Sequence, residues 1–375
     1  MINNDIISNM SAAPVNTLVE LLTEAYGAVI RGGGSVKLLP SVMLWGPPGV
    51  GKSQGVRQFA SKLAEATSKR TSVTDVRLLL FNPIDLRGIP TANEDKTLAV
   101  WLKPKIFQMD DGEDLVNILF LDEISAAPPS VQAAAYQITL DRTVGEHRLP
   151  DNCIVIAAGN RVTDKSVAYK MPKALANRLC HFEIVCDFDS WREWAVRRGV
   201  NARIIGFLDF RPSFLMDFEP GRDDLAFATP RSWEMASNIL NYATDPSSPD
   251  VARVFPMLAG CIGIGAAAEL RAWCAIYDEL PDIRDIFAGK NIAPPKATDV
   301  LYALVSSIVA YARTVTDDMT AIDNSIKFAH KLPPDFATVM LRDYLALAPD
   351  YKSKLMRSRA FTDWLGKYGS LFNYD

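Results

Sequence analysis

The sequence predicts an α/β protein: a five-stranded parallel sheet covered by helices on both sides, followed by an all-α second half. Three observations carry this. Short apolar runs alternate with helical periods through the first half of the 375-residue chain, the pattern of a parallel sheet with crossover helices. The run Val42-Met43-Leu44 leads through Trp45 into the glycine-rich turn Gly46-Pro47-Pro48-Gly49-Val50-Gly51-Lys52-Ser53 and then a helix. Beyond about Asp189 the strand pattern stops, and only helical periods continue.

After a polar leader, Val15, Leu18, Leu22, Tyr26 and Val29 recur at helical spacing and stop at Gly32-Gly33-Gly34, an amphipathic helix ended by glycines. The strand and glycine turn follow, and Val56, Phe59, Ala60 and Leu63 give the next helix its buried stripe. A second strand is expected over Val76–Phe81, ending at Asn82-Pro83; its unbroken hydrophobicity predicts cover on both faces. A third, Val116–Leu121, ends in Asp122-Glu123, after an acidic connection Asp110–Asp114. A helix over Ser125–Leu140 precedes the fourth strand, Cys153–Ala158, which ends in Gly159-Asn160. The segment Met171–Leu179 reads as a helix, and His181–Val185 closes the set. Helical periods then cover Trp191–Arg198, Ala202–Leu208, Thr229–Leu240, Val251–Leu280, Thr298–Arg313 and Phe336–Leu347. Proline-rich breaks at 245–249, 293–295 and 332–334 separate them.

In such sheets ligands sit at the carboxyl ends of the strands, where the polar residues of this sequence cluster. The turn Gly46–Ser53 is a phosphate cradle by composition. Glycines let backbone N–H groups converge on an anion, Lys52 adds a point charge for the β- and γ-phosphates, and the Ser53 hydroxyl is placed to ligate Mg²⁺. Asp122 would complete the Mg²⁺ shell and Glu123 would polarise an attacking water. Asn160 can hydrogen-bond that water or the γ-phosphate without adding charge. Arg178, just before the last strand, cannot easily reach its own cradle but could reach a neighbouring copy's. Thr229-Pro230-Arg231 opens a helix with a cation in its first turn, which the helix dipole disfavours and an anionic partner such as ATP phosphate would offset. A turn asparagine, a capping or surface arginine, and acidic helix caps are the plainer alternatives.

Composition sets the exclusions. The 40 basic and 44 acidic residues leave a formal charge of −4, so no overall positive field recruits nucleic acid or an anionic membrane. Cys153, Cys180, Cys186, Cys261 and Cys274 lie singly among apolar neighbours, as in the reduced core of a cytoplasmic protein. No His/Cys spacing suits zinc, the N-terminus lacks the pattern of a signal peptide, and the longest apolar run, Val254–Ala268, is too short to span a bilayer.

In this order and spacing, Gly46–Ser53, Ile118–Glu123, Ala157–Asn160, Asn177-Arg178 and Thr229–Arg231 make the chain resemble an AAA+ ATPase, a P-loop NTPase fold. The resemblance narrows to the MoxR group, within the clade that carries an insert in helix 2. It does so on Asp85-Leu86-Arg87-Gly88-Ile89-Pro90, on Asp122-Glu123-Ile124-Ser125-Ala126-Ala127-Pro128, and on Thr143–Pro150, which is similar to the hairpin of that insert. It covers roughly Val15–Leu240, and the long helical C-terminus exceeds a minimal lid. It implies a polar leader over 1–13, an AAA+ core over 14–188, the start of an α-helical lid over 189–248, and the rest of the lid with a C-terminal extension over 249–375. It also implies Mg²⁺-dependent ATP hydrolysis in a homo-oligomeric ring, usually a hexamer. Asn160 would be sensor 1, Arg231 sensor 2, and Arg178 a finger completing the next subunit's site. MoxR-type ATPases commonly act as chaperones or remodellers with a von Willebrand factor A domain partner. The segment Ile84–Lys103 is either pore-facing or an ordinary loop with Trp101 in the core. Two other functions fit parts of the sequence: a nucleic-acid motor using Trp191-Arg192-Glu193-Trp194 with Arg197-Arg198, and a nucleotide-dependent scaffold. Retention of Lys52, Glu123 and Arg178 argues for turnover over scaffolding.

Overall fold

The computed structural model describes residues 11–164, 169, 171, 173–245, 249–277, 280–347 and 351–369. Positions 1–10 of the leader, Pro172 and most of the break at 245–249 lie outside these residues. The chain divides into two compact units: residues 1–187 with 219–222, and residues 188–218 with 223–375.

In the first unit, strand β1 (Ser11–Ala13) leads into helix α1 (Val15–Arg31), then β2 (Val42–Trp45) and α2 (Lys52–Thr67). After β3 (Arg70–Arg77) come the short helix α3 (Pro83–Arg87) and a hairpin of β4 (Ile89–Ala92) and β5 (Ala99–Leu102). Strand β6 (Leu115–Asp122), helix α4 (Pro129–Asp141), a small hairpin β7 (Thr143–Val144) and β8 (His147–Arg148), strand β9 (Cys153–Gly159), helix α5 (Lys173–Ala176) and β10 (Cys180–Ile184) complete it. The sheet is parallel with order β1-β10-β2-β9-β6-β3.

Alternate side chains along the central strands enter separate cores, because successive strand residues point to opposite faces. Met43, Leu119, Leu121, Val155 and Ala157 pack with α4 on one face; Val42, Leu44, Ile118, Phe120, Ile154 and Ile156 pack with α1 and α2 on the other. Both faces are therefore dry, as a parallel sheet requires.

Three expectations are corrected. The sheet has six strands where five were expected, because Ser11–Ala13 of the leader pairs in parallel with β10. Three small residues carry no strand period, so only pairing reveals them. The second strand is Arg70–Arg77 instead of Val76–Phe81; Leu78–Leu80 form a 3-10 turn in which Leu80 is 76% exposed. Among the described residues β3 pairs with β6 alone, and it carries the polar residues an edge tolerates, so its sequence mimics a loop. The segment Ile84–Lys103 is neither a plain loop nor a core insert, since it holds α3 and the β4–β5 hairpin with Trp101 half-buried. At Gly88, with φ of +91°, a Cβ would sit 1.9 Å from the Leu102 carbonyl oxygen; only glycine lets the hairpin close there.

Among its described residues the second unit holds helices and no strand: α6 (Phe188–Arg198), α7 (Ala202–Phe210), α8 (Pro230–Tyr242), α9 (Val251–Ile262), α10 (Ile264–Tyr277), α11 (Ile283–Phe287), α12 (Thr298–Ala312), α13 (Met319–Ala329), α14 (Pro334–Ala346), α15 (Tyr351–Leu355) and α16 (Arg359–Tyr368). The single helix expected over Val251–Leu280 is two, broken at Gly263 with φ of +85°. The residues of the candidate nucleic-acid stripe divide between interior and surface. Trp191 and Arg192 are buried, and Arg192 is clamped between Asp209 (Nε to Oδ1, 2.5 Å) and Asp343. Arg197 pairs with Glu193 (2.5 Å) one turn away. Trp194 is half-buried and Arg197 and Arg198 are exposed, so α6 sends Trp191 and Arg192 into the helical core and keeps its other basic residues at the surface.

Candidate active site at the carboxyl ends of the sheet

The register explains why the predicted residues converge. Trp45 pairs with Gly159, and Leu121 pairs with Ala157. The residues that follow β2, β9 and β6 therefore emerge side by side: the cradle, Asn160, and the Asp122-Glu123 pair.

Gly51, with φ of +108°, caps α2, whose first two residues are Lys52 and Ser53. That left-handed turn aims the N-terminus of a sixteen-residue helix into the cradle, where the helix's first N–H groups and dipole favour an anion. The Lys52 ammonium donates to the Gly46 carbonyl (2.6 Å), the Pro47 carbonyl (3.1 Å) and Asn160 Oδ1 (2.9 Å). The Ser53 hydroxyl donates to Asp122 Oδ2 (3.0 Å). A hydroxyl and a carboxylate at this separation form a hard oxygen pair of the kind Mg²⁺ takes when it is bound mainly through water and phosphate. The donor set fits a Mg²⁺–nucleoside triphosphate.

Glu123 is one of four described non-glycine residues with positive φ, at +59°. Its own N–H donates to Asp122 Oδ1 (2.9 Å), while the next N–H, of Ile124, donates to the Ala158 carbonyl (2.9 Å). Backbone strain of this kind costs about 1–3 kcal/mol and persists where neighbours over-determine it. The neighbour here is Ser125, which the sequence reading assigned no role. Buried, its Oγ accepts the Asn160 N–H at 2.9 Å, and its carbonyl accepts from Gln132 Nε2 and the Tyr169 N–H. Ser125 thus fastens the turn bearing Glu123 to the strand end bearing Asn160. The only sequence signal was a small hydroxyl residue two places after the acidic pair.

Beside Asn160, Arg161 donates to Asp164 (Nη2 to Oδ1, 2.8 Å) and to Glu183. Burial opposes its charge, but the two carboxylates more than offset that and hold its pKa above the ordinary arginine value.

Arg178 is not part of this cluster. Cys180, two residues on, pairs with Val42 at the start of β2, whereas Glu183 pairs with Trp45 at its end. At roughly 3.3 Å per residue that puts Arg178 about 10 Å or more below the strand ends. Exposed at the amino ends of the strands, it lines a cavity of about 400 Å³ with Lys37, Ser41, Thr139 and Arg142. Arg231 lies in the helical unit, exposed in the first turn of α8, with Thr229 as N-cap accepting from the Ser232 N–H (3.1 Å). The described residues hold no cluster of three or more His, Cys, Asp or Glu suited to a metal, and no helix long and apolar enough to cross a membrane.

Residues 41–181 match the family described as ATPase family associated with various cellular activities (AAA). No curated protein matches the chain. Similar solved structures include a RuvB mutant from Thermotoga maritima, at 16% identity and a TM-score of 0.38, covering 81% of this chain and 87% of that one. PCH-2 of C. elegans matches at 16% identity and 0.34, covering 72% and 63%. NtrX of Brucella abortus matches at 15% identity and 0.37, covering 75% and 66%. With its cradle and parallel sheet, the matched segment is a P-loop module of AAA type.

Proposed function

We propose that this chain, with its AAA-type module over residues 41–181, is an ATP-hydrolysing remodeller of MoxR type. It acts as a ring, hexameric by the resemblance, on a client protein and together with a von Willebrand factor A domain partner. One observation carries the hydrolytic part of this reading: Lys52 and Ser53, at the start of α2, are hydrogen-bonded to Asn160 (2.9 Å) and Asp122 (3.0 Å) at the ends of adjacent strands, with Glu123 next in the chain after Asp122.

In this reading the cradle N–H groups and Lys52 hold the β- and γ-phosphates. Ser53 and Asp122 would hold Mg²⁺, which when bound neutralises charge between those phosphates. Glu123 takes the proton of the attacking water, and Asn160 orients that water while releasing Lys52 to the phosphate. Arg178 is lent to the site of a neighbouring copy, which its place below the sheet favours, and Arg231 closes the helical unit on the nucleotide. The β4–β5 hairpin, with Ile89, Leu98 and Leu102 each about 60% exposed or more, is the surface we assign to client contact.

Glu123→Gln tests the chemistry. Turnover should fall by about 10²–10⁴-fold while ATP binding persists, because the change removes a base and leaves the cradle intact. Unchanged turnover would remove Glu123 from the mechanism.

A further inference from the structure

Two side chains of β10 outside the phosphate cluster tie three parts of the first unit together. His181 and Glu183 are two residues apart on β10 and so share a face; Trp45, in register with Glu183, lies on that face too. Glu183 accepts from Arg161, next to Asn160. The Trp45 indole N–H donates to His181 Nδ1 at 2.9 Å, with the rings 16° from coplanar. His181 Nε2 lies 2.7 Å from the Ala176 carbonyl oxygen.

The donor pattern fixes the tautomer. An indole nitrogen can only donate, so Nδ1 accepts, and the imidazole proton sits on Nε2 and is given to Ala176. A charged imidazole would oppose two N–H groups across 2.9 Å. Ala176 ends α5, two residues before Arg178; Trp45 is the last residue before the cradle. One neutral imidazole therefore spans from the segment bearing Arg178 to the strand that carries Gly46.

We propose that His181 is a positioning residue that makes the Arg178 segment and the chain's own cradle move as one body. This rests on the reading of Arg178 as a group lent to a second copy. When Arg178 engages a neighbour's triphosphate, the displacement at Ala176 passes through the imidazole to Trp45 and alters the affinity of the cradle behind it. Nucleotide sites around the assembly are thereby coupled, as any shared two-state element couples two sites.

The test measures turnover of the full chain against ATP concentration, at protein concentrations where it assembles, for wild type, R178A, H181F, W45F and the H181F/W45F double variant. H181F keeps a ring and removes both bonds; W45F removes only the indole donor, and carries the test alone should H181F fail to fold. Expected are a sigmoidal wild type and no turnover for R178A. H181F and W45F should keep wild-type ATP affinity when dilute but show a Hill coefficient reduced to about 1. The double variant should match the single ones, and H181Q, which offers both an acceptor and a donor, should regain part of the steepness. A hyperbolic wild type, or H181F and W45F with wild-type steepness, overturns the relay. If R178A still turns over ATP, the shared-site reading falls and the relay with it; if R178A is dead and H181F unchanged, the relay alone falls.

Discussion

Lys52 and Asn160 hold one another at 2.9 Å, a neutral acceptor against an ammonium at the place where phosphate charge would arrive. An acidic residue at 160 would give Lys52 a stronger partner and compete with the phosphate; an asparagine yields. Ser125 is the residue on which this arrangement turns, because it accepts the Asn160 N–H from inside the Glu123 turn. Ser125→Ala leaves the half-buried Asn160 N–H without its acceptor, at a cost of about 1 kcal/mol. The variant should therefore melt lower, and its kcat should fall while its affinity for ATP stays near wild type; a drop in affinity with kcat preserved would contradict the role. Gly46, Asp122, Glu123 and Asn160 were legible from sequence because they follow apolar runs that the sheet must bury, and Lys52 because it opens the helix after the glycine turn, so their placement follows from the pattern. Ser125, Trp45 and His181 were not, because their roles depend on which strand lies beside which, and strand order is not written in periodicity.

At the scale of elements, the buried cluster of α6, α7 and α14 shows the same limit. Arg192 reads from sequence as part of a basic stripe, and only the packing of three helices reveals Asp209 and Asp343 around it. Removing the cation strands two buried carboxylates, so Arg192→Met should destabilise the helical unit by about 3–5 kcal/mol, measurable by chemical denaturation. Burial raises the Asp343 pKa from 3.8 to about 6, against the pull of Arg192. The folded chain therefore binds this proton more tightly than the unfolded chain. The resulting stability is fully present below about pH 4 and is lost as pH rises to about 6. Thermal unfolding of Asp343→Asn should show a shallower pH slope over that range than wild type; an identical slope would contradict the assignment. The six-stranded sheet carries the matching lesson. Its doubly buried central strands announce themselves by hydrophobicity, whereas edge strands β1 and β3 are small or polar and do not.

For the whole molecule, the two units follow from composition, since strand periods end where the helical unit begins at Phe188. In the proposed mechanism the second unit contributes Arg231 and assembly contributes Arg178, which is exposed and placed about 10 Å or more from its own cradle along the strand. Neither arginine follows a strand, so the apolar pattern that places the strand-tip cluster does not place them. On the proposed mechanism, a complete hydrolytic site needs groups from two copies of the chain. The most direct test mixes two inactive variants, Lys52→Ala and Arg178→Ala, and measures Mg²⁺-dependent ATP turnover. Each variant alone should be silent and the mixture active, because an intact cradle from one copy meets an intact arginine from the other; a mixture as silent as its parts, or an Arg178→Ala protein active by itself, would rule the shared site out.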